Sequence, residues 1–204
     1  SQTLIINTQS KLLIDRNKKV IKFGFGQSPF LPPKTVLEAL KESVRHKEYT
    51  SVQGDPDLRE YMSAFHKQHN GLEVEPNNIL VAPGSKILLF NILMAFKKAD
   101  VFIPAPSWVS YAPQAKLAGH HIIKLSTSYD ERWRIHSKTI VEGAKHKKHE
   151  ASILILNYPG NPDGLTYSVK ELIEIARVAK SLNMLVISDE IYGLLNHNHA
   201  HLSF

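Results

Sequence analysis

The stretch "SILILNYPGNPDGLTYSVKELIEIARVAKSLNMLVISD", residues 152–189, decides the fold. An unbroken apolar run over 152–157 stops at Asn157, a loop with two prolines and two glycines follows, and a helical pattern over 168–182 leads into a second apolar run over 184–188. Neither run alternates polar with apolar, as a strand with one wet face does, so each predicts a strand covered on both faces. Strand, helix and strand in that order form the unit of a parallel sheet. The loop holds more than a turn requires, because Gly and Pro alone would set the backbone. Asn157 and Asn161 therefore read as side chains presented at the mouth of a strand.

The same alternation extends upstream. Strands are expected over 79–82, 101–103 and 121–125, with helices over 86–96, 108–117 and 137–147. Ahead of them a helix over 34–48 carries Val36, Leu37, Leu40 and Val44 at helical spacing behind Pro32 and Pro33. Another, over 56–69, puts Leu58, Met62 and Phe65 on one face and closes at Asn70-Gly71. The expected fold class is α/β: a three-layer αβα arrangement around a mostly parallel sheet, with ligands collecting beyond the carboxyl ends of the strands. The Pro- and Gly-rich stretch 23–33 is expected to separate an N-terminal arm, 1–33, from the sheet domain, 34–204.

Composition narrows the function classes. With 204 residues, 43% apolar and 22% charged, the chain is long and apolar enough for one substantial core. It has no cysteine, which excludes disulfides, thiolate nucleophiles and Cys-ligated zinc. No apolar run approaches the ~18–20 residues of a membrane span, and residues 1–13 lack a basic start followed by an apolar block. The expectation is a soluble, cytoplasmic protein without a membrane partner. The formal charge of +6 is scattered, with one dense run, Lys145-His146-Lys147-Lys148, which reads as a solvated helix end and not as a nucleic-acid surface. His197, His199 and His201 alternate as metal ligands on an extended segment would, but no acidic partner is near in sequence, so a polar surface loop and no metal are expected.

Several groups fall at strand ends. Gly84-Ser85-Lys86 stands at a strand-to-helix junction, where free N–H groups suit a phosphate, or where Ser85 caps its own helix. Trp108 follows the 101–103 strand and reads either as a flat wall for a planar ring or as packing between helix and sheet. Asp189 ends the last strand at the edge of the core, where a carboxylate is costly unless it meets a cation or several donors. Together with the two asparagines these groups describe a pocket for a phosphorylated aromatic cation, such as a pyridinium.

At this point the chain resembles the class I/II aminotransferases, pyridoxal-phosphate enzymes of fold type I. The landmarks run in order as "FGFGQSPFLPP", "YTSVQGDPDLRE", "APGSK", "PAPSWVSY", "NYPGNPDGLTYS" and "SDEIYG". The resemblance implies pyridoxal 5'-phosphate held by Ser85 and Lys86 at its phosphate, stacked by Trp108 and paired through its ring nitrogen with Asp189. It further implies that Asn161 and Tyr192 bind the 3-oxygen, with Asn161-Pro162 in the cis form. Tyr49 would reach the phosphate of a neighbouring subunit in a homodimer with shared active sites. Gly26 lies against the substrate carboxylate on this reading, beside Trp108 and Asn161. The substrates implied are an amino acid and a 2-oxo acid, with aspartate or glutamate as the default.

Two departures from the family pattern carry expectations of their own. Asn161-Pro162-Asp163-Gly164 has Asp163 where the family has threonine, and this carboxylate is expected to point outward. The family's Schiff-base lysine lies beyond "SDEIYG", and residues 1–204 hold no lysine after Lys180 and no arginine after Arg177. The chain is therefore expected to be an N-terminal portion without the small C-terminal domain and inactive alone. A carbon–sulfur lyase or aminocyclopropane-carboxylate synthase would share the quoted motifs. A non-catalytic binding or regulatory protein of the same fold is the alternative from another class.

Overall fold

The computed structural model describes residues 2–24, 26, 28, 30–196 and 200–204. The chain divides into two compact units, Ser1–Thr50 and Ser51–Phe204. The first contains helix α1 (Gln2–Asp15) and helix α2 (Lys34–Ser43). The helix expected over 34–48 stops early, at Ser43 with Val44 as its C-cap, and none of its residues is buried.

The second unit begins with helix α3 (Pro56–Asn70), capped by the Asp55 carboxylate and closed by Gly71 in the left-handed conformation. Then come α4 (Ser85–Met94), β1 (Asp100–Ala105), α5 (Tyr111–Leu117), β2 (His121–Ser126), α6 (Ser137–Ala144), β3 (Ser152–Asn157), α7 (Val169–Ser181) and β4 (Met184–Asp189). Among the described residues the four strands form one sheet in the order β2-β1-β3-β4, all pairs parallel.

Alternation along the strands explains the three layers. Val101 and Ile103 of β1, with Ile153 and Ile155 of β3, face α4 and α5 through Leu89, Leu93, Tyr111 and Ala115. Phe102, Leu154 and Leu156 face the other way, against Ile140 of α6 and Leu172 and Ile175 of α7. Each such side chain contributes roughly 1.5–3 kcal/mol by leaving water, so a run apolar at every position needs helices on both sides.

Two expectations at the element level are corrected. Residues 79–82 form no strand: Ile79 is buried and extended, yet the backbone there has a single bond outward, Val81 N–H to Gln53 O at 2.9 Å, and a ladder needs a continuous neighbour. The helix expected from 108 begins at Tyr111, which leaves Pro113 in the first turn, where its missing N–H breaks no intrahelical bond. No helix among the described residues is long and apolar enough to cross a membrane.

Candidate active site

The strand order places a switch point between β1 and β3, since the chain leaves β1 for β2 on one side and reaches β3 on the other. A crevice opens there beyond the carboxyl ends, the usual ligand position in an open α/β sheet. It holds a cavity of about 130 Å³ whose lining includes Ser85, Trp108, Asn161, Asp189 and Tyr192. Five residues expected in one site thus come together from four separate segments of the chain.

Asp189 forms the floor. It is the last residue of β4, 8% exposed, and its Oδ2 accepts the Tyr111 hydroxyl at 2.7 Å while Oδ1 accepts the Ile191 N–H at 3.3 Å. A carboxylate so placed is costly unless donors replace the water it has lost. Burial, and after it the Asp189 carboxylate, push the Tyr111 phenol far above its ordinary value, so Tyr111 stays protonated and remains a donor. Tyr111 was not singled out in the sequence, although it stands three residues after Trp108 in "WVSY", the spacing that puts two side chains on one side of a helical turn.

Trp108 forms a wall. Its indole packs edge-on against Tyr111, with ring centroids 5.3 Å apart, and leans on the core cluster of α4 and α5. The indole thus packs on the core and also lines the cavity. Lys86 sits outside the wall with its Nζ 5.5 Å from the indole centroid.

The opposite rim is the loop 157–164. Asn157, paired in register with Asp189, donates from Nδ2 to the Asp189 carbonyl at 2.8 Å and accepts the Asn161 N–H on Oδ1 at 2.7 Å. One side chain thereby ties two strand ends and the loop together. Asn161, whose bond to Pro162 is cis, turns inward and its Nδ2 lies 3.4 Å from the Tyr192 hydroxyl. Asp163 does not point outward as expected: it is half-buried and folds onto its own loop, where Oδ1 accepts the Leu165 N–H at 3.1 Å. A local turn bond satisfies this carboxylate better than solvent alone.

Helix α4 supplies a third edge. Its N-cap is Gly84 at φ +84, a conformation that favours glycine, and no side chain caps the helix. Ser85 is the first helical residue and does not bond its own turn, which leaves the N–H groups of that turn directed at whatever docks there.

Gly26 and Tyr49 belong to the first compact unit, and both are exposed. His197 and His199 fall outside the described residues. His201 is buried and not on a polar surface loop, because its Nε2 is bound to Glu190 Oε2 at 2.7 Å. Glu190 also went unremarked in the sequence. It accepts from Tyr158, Ser188, Ser203 and the Phe204 N–H on Oε1, so one half-buried carboxylate gathers the ends of β4 and β3 and the segment 201–204.

Comparison with known proteins bears on the family and the fold. The sequence profile of the family described as aminotransferase class I and II matches residues 18–202. An asparagine–oxo-acid transaminase of Streptococcus mutans is 34% identical over 98% of this chain and 51% of its own length. An aspartate aminotransferase of Bacillus sp. is 32% identical over the same shares. The solved aspartate aminotransferase of Thermus thermophilus with maleate superposes with a TM-score of 0.89 at 27% identity, over 100% of this chain and 53% of that one. The chain spans about half the length of the curated relatives it matches.

Proposed function

Since the chain belongs to the class I and II aminotransferases, we propose that it is the cofactor-cradling part of an enzyme moving an amino group between an aspartate-type amino acid and a 2-oxo acid, with pyridoxal 5'-phosphate as cofactor. The observation that carries this reading is the Asp189 carboxylate, 8% exposed beneath an indole wall and held by the Tyr111 hydroxyl. A buried anion opposite a flat aromatic face suits a planar ring that bears a proton on nitrogen.

When bound, pyridoxal 5'-phosphate supplies an electron sink for the pair released as a substrate Cα–H bond breaks. Asp189 would keep the ring nitrogen protonated, and Tyr111 would hold the Asp189 carboxylate in place for it. Trp108 would cover one ring face and exclude water from it. Asn161 and Tyr192, already 3.4 Å apart, would bind the 3-oxygen together. Ser85, Lys86 and the uncapped first turn of α4 would take the phosphate.

Residues 1–204 carry this cradle, while the resemblance puts the reactive lysine further on. The chain alone is therefore proposed to bind the cofactor and to exchange amino groups poorly. Tyr49 is fully exposed, as a residue given to a neighbouring subunit of a homodimer would be. The absence of cysteine suits the proposed cytoplasmic location.

The test is a titration of the purified chain with pyridoxal 5'-phosphate, followed by quenching of Trp fluorescence and by cofactor absorbance. Saturable binding that Asp189→Asn weakens about tenfold or more is expected, because the substitution removes a charge-assisted contact. Binding untouched by that substitution would refute the assignment of Asp189. Extending the reading frame and assaying aspartate with 2-oxoglutarate then tests the reaction itself, and no exchange would overturn it.

A further inference from the structure

The far end of the sheet carries a second concave feature. β2 is an edge strand, and beside it lies a groove of about 490 Å³, lined by His121, Ile122, Ile123 and Lys124 of the strand and by His146, Lys147 and Lys148 of the turn after α6. None of the lining residues is acidic, and among the described residues Lys124, Lys147 and Lys148 have no carboxylate partner.

One buried carboxylate sets the width of this groove. Asp100, fully buried at the start of β1, accepts from His121 Nδ1 at 2.7 Å, from the Lys148 N–H at 2.9 Å and from the His149 N–H at 2.8 Å. It therefore ties the first residue of β2 to the turn that lines the groove with it, and it is consumed in doing so. The basic rims stand on a fixed frame and not on a loose tail.

The backbone of the strand is available as well. The His121 N–H points to the Ala99 carbonyl of the sheet at 3.1 Å, and in a parallel ladder successive residues alternate, so Ile122 and Lys124, both of which line the groove, turn their N–H and C=O groups away from β1 to the open edge. A lone lysine on an edge strand reads as a guard against pairing. Here cationic side chains come from both the strand and the turn. That arrangement repels a second copy of the same basic edge and attracts a strand of opposite charge.

From these features we propose that the β2 edge is a docking site for an acidic peptide in extended conformation, added to the sheet as a further strand in this basic groove. Backbone bonding to Ile122 and Lys124 would supply register, and the lysines would select acidic side chains on alternate positions. The site lies at the opposite end of the sheet from the Asp189 cavity, so it stands whether or not the aminotransferase reading holds.

Three probes test it on the purified chain by fluorescence anisotropy: a labelled peptide of about ten residues, strand length, alternating Glu with Val; the same peptide with alternate backbone amides N-methylated; and inorganic polyphosphate. The expected result is saturable binding of the first, loss of binding for the second, and a weakening of about tenfold or more in the double variant Lys124→Glu with Lys147→Glu. Its fold is checked by circular dichroism, and the N-methylated arm reads the same question without any variant. Equal binding of the methylated peptide, no response to the double variant, or capture of polyphosphate in preference to the peptide would each overturn the proposal.

Discussion

At the scale of single residues the site depends on two side chains that bridge strand ends. Tyr111 is 2% exposed and donates to a carboxylate that is itself buried, so Tyr111→Phe leaves Asp189 short of a charge-assisted bond. The expected cost is about 1.5–3 kcal/mol in urea denaturation at neutral pH, with weaker cofactor binding alongside. Burial and Asp189 raise the phenol above its ordinary 10.0, so the stability linked to it is complete below pH 10 and is lost as pH rises further. Tyr111→Phe should flatten that alkaline loss, and an unchanged alkaline slope would count against the pairing. Asn157 is the other bridge. Asn157→Ala removes bonds to the Asp189 carbonyl and the Asn161 N–H, and should cost about 1–3 kcal/mol while speeding hydrogen exchange at Asn161.

At the scale of elements the cradle is held by how tightly the helices meet the sheet. A Cβ on Gly143 of α6 would stand 2.6 Å from Leu125 Cδ2, 3.3 Å from Ile123 and 3.4 Å from Phe102, all buried. Leu125 is 1% exposed and Ile123 and Phe102 crowd the same spot, so Gly143→Ala should force these side chains to shift and cost about 1–3 kcal/mol, read as a lower urea midpoint. Helix α7, which follows the Asn161 loop, is fixed at its start by a reciprocal box: Ser168 Oγ accepts the Glu171 N–H while Glu171 accepts the Ser168 N–H. Ser168→Ala should cost about 1 kcal/mol at pH 7. Burial alone would raise the Glu171 carboxyl, but Ser168 and Arg134 outweigh it and hold the group below 4.5. Its contribution is therefore present above pH 4.5 and fades as pH falls through the folded value, and the difference between wild type and Ser168→Ala should shrink with it.

At the scale of the whole molecule, much of the architecture was legible because strands covered on both faces leave continuous apolar runs, as 152–157 does, and both layers of helices follow from that pattern. The cavity residues were legible because they fall at strand ends, which parallel order brings to one edge. What the sequence did not disclose are contacts between distant positions: Tyr111 with Asp189 across 78 residues, and Glu190 with Tyr158, His201 and Ser203. Composition and periodicity report a residue's own environment and not its partner. Glu190 carries the last prediction because it joins two strands to the segment 201–204. Burial would raise its carboxyl, but hydrogen bonds from Ser188, His201, the Phe204 N–H and Ser203 prevail and hold it below 4.5. Asp100, at the other end of the sheet, is held below 3.8 in the same way, against burial, by the His149 N–H, His121 and the Lys148 N–H. Both carboxylates are depressed in the folded state, so their stabilisation is present above their ordinary values and is lost as pH falls through the folded ones. Glu190→Gln keeps the shape but turns an amide toward donors, and should cost about 1–3 kcal/mol at pH 7. Asp100 acts equally in both proteins and cancels from the comparison. The gap between wild type and variant should therefore narrow as urea midpoints are followed down from about pH 7 to pH 3. A gap constant over that range would mean that Glu190 anchors the segment by shape and not by charge.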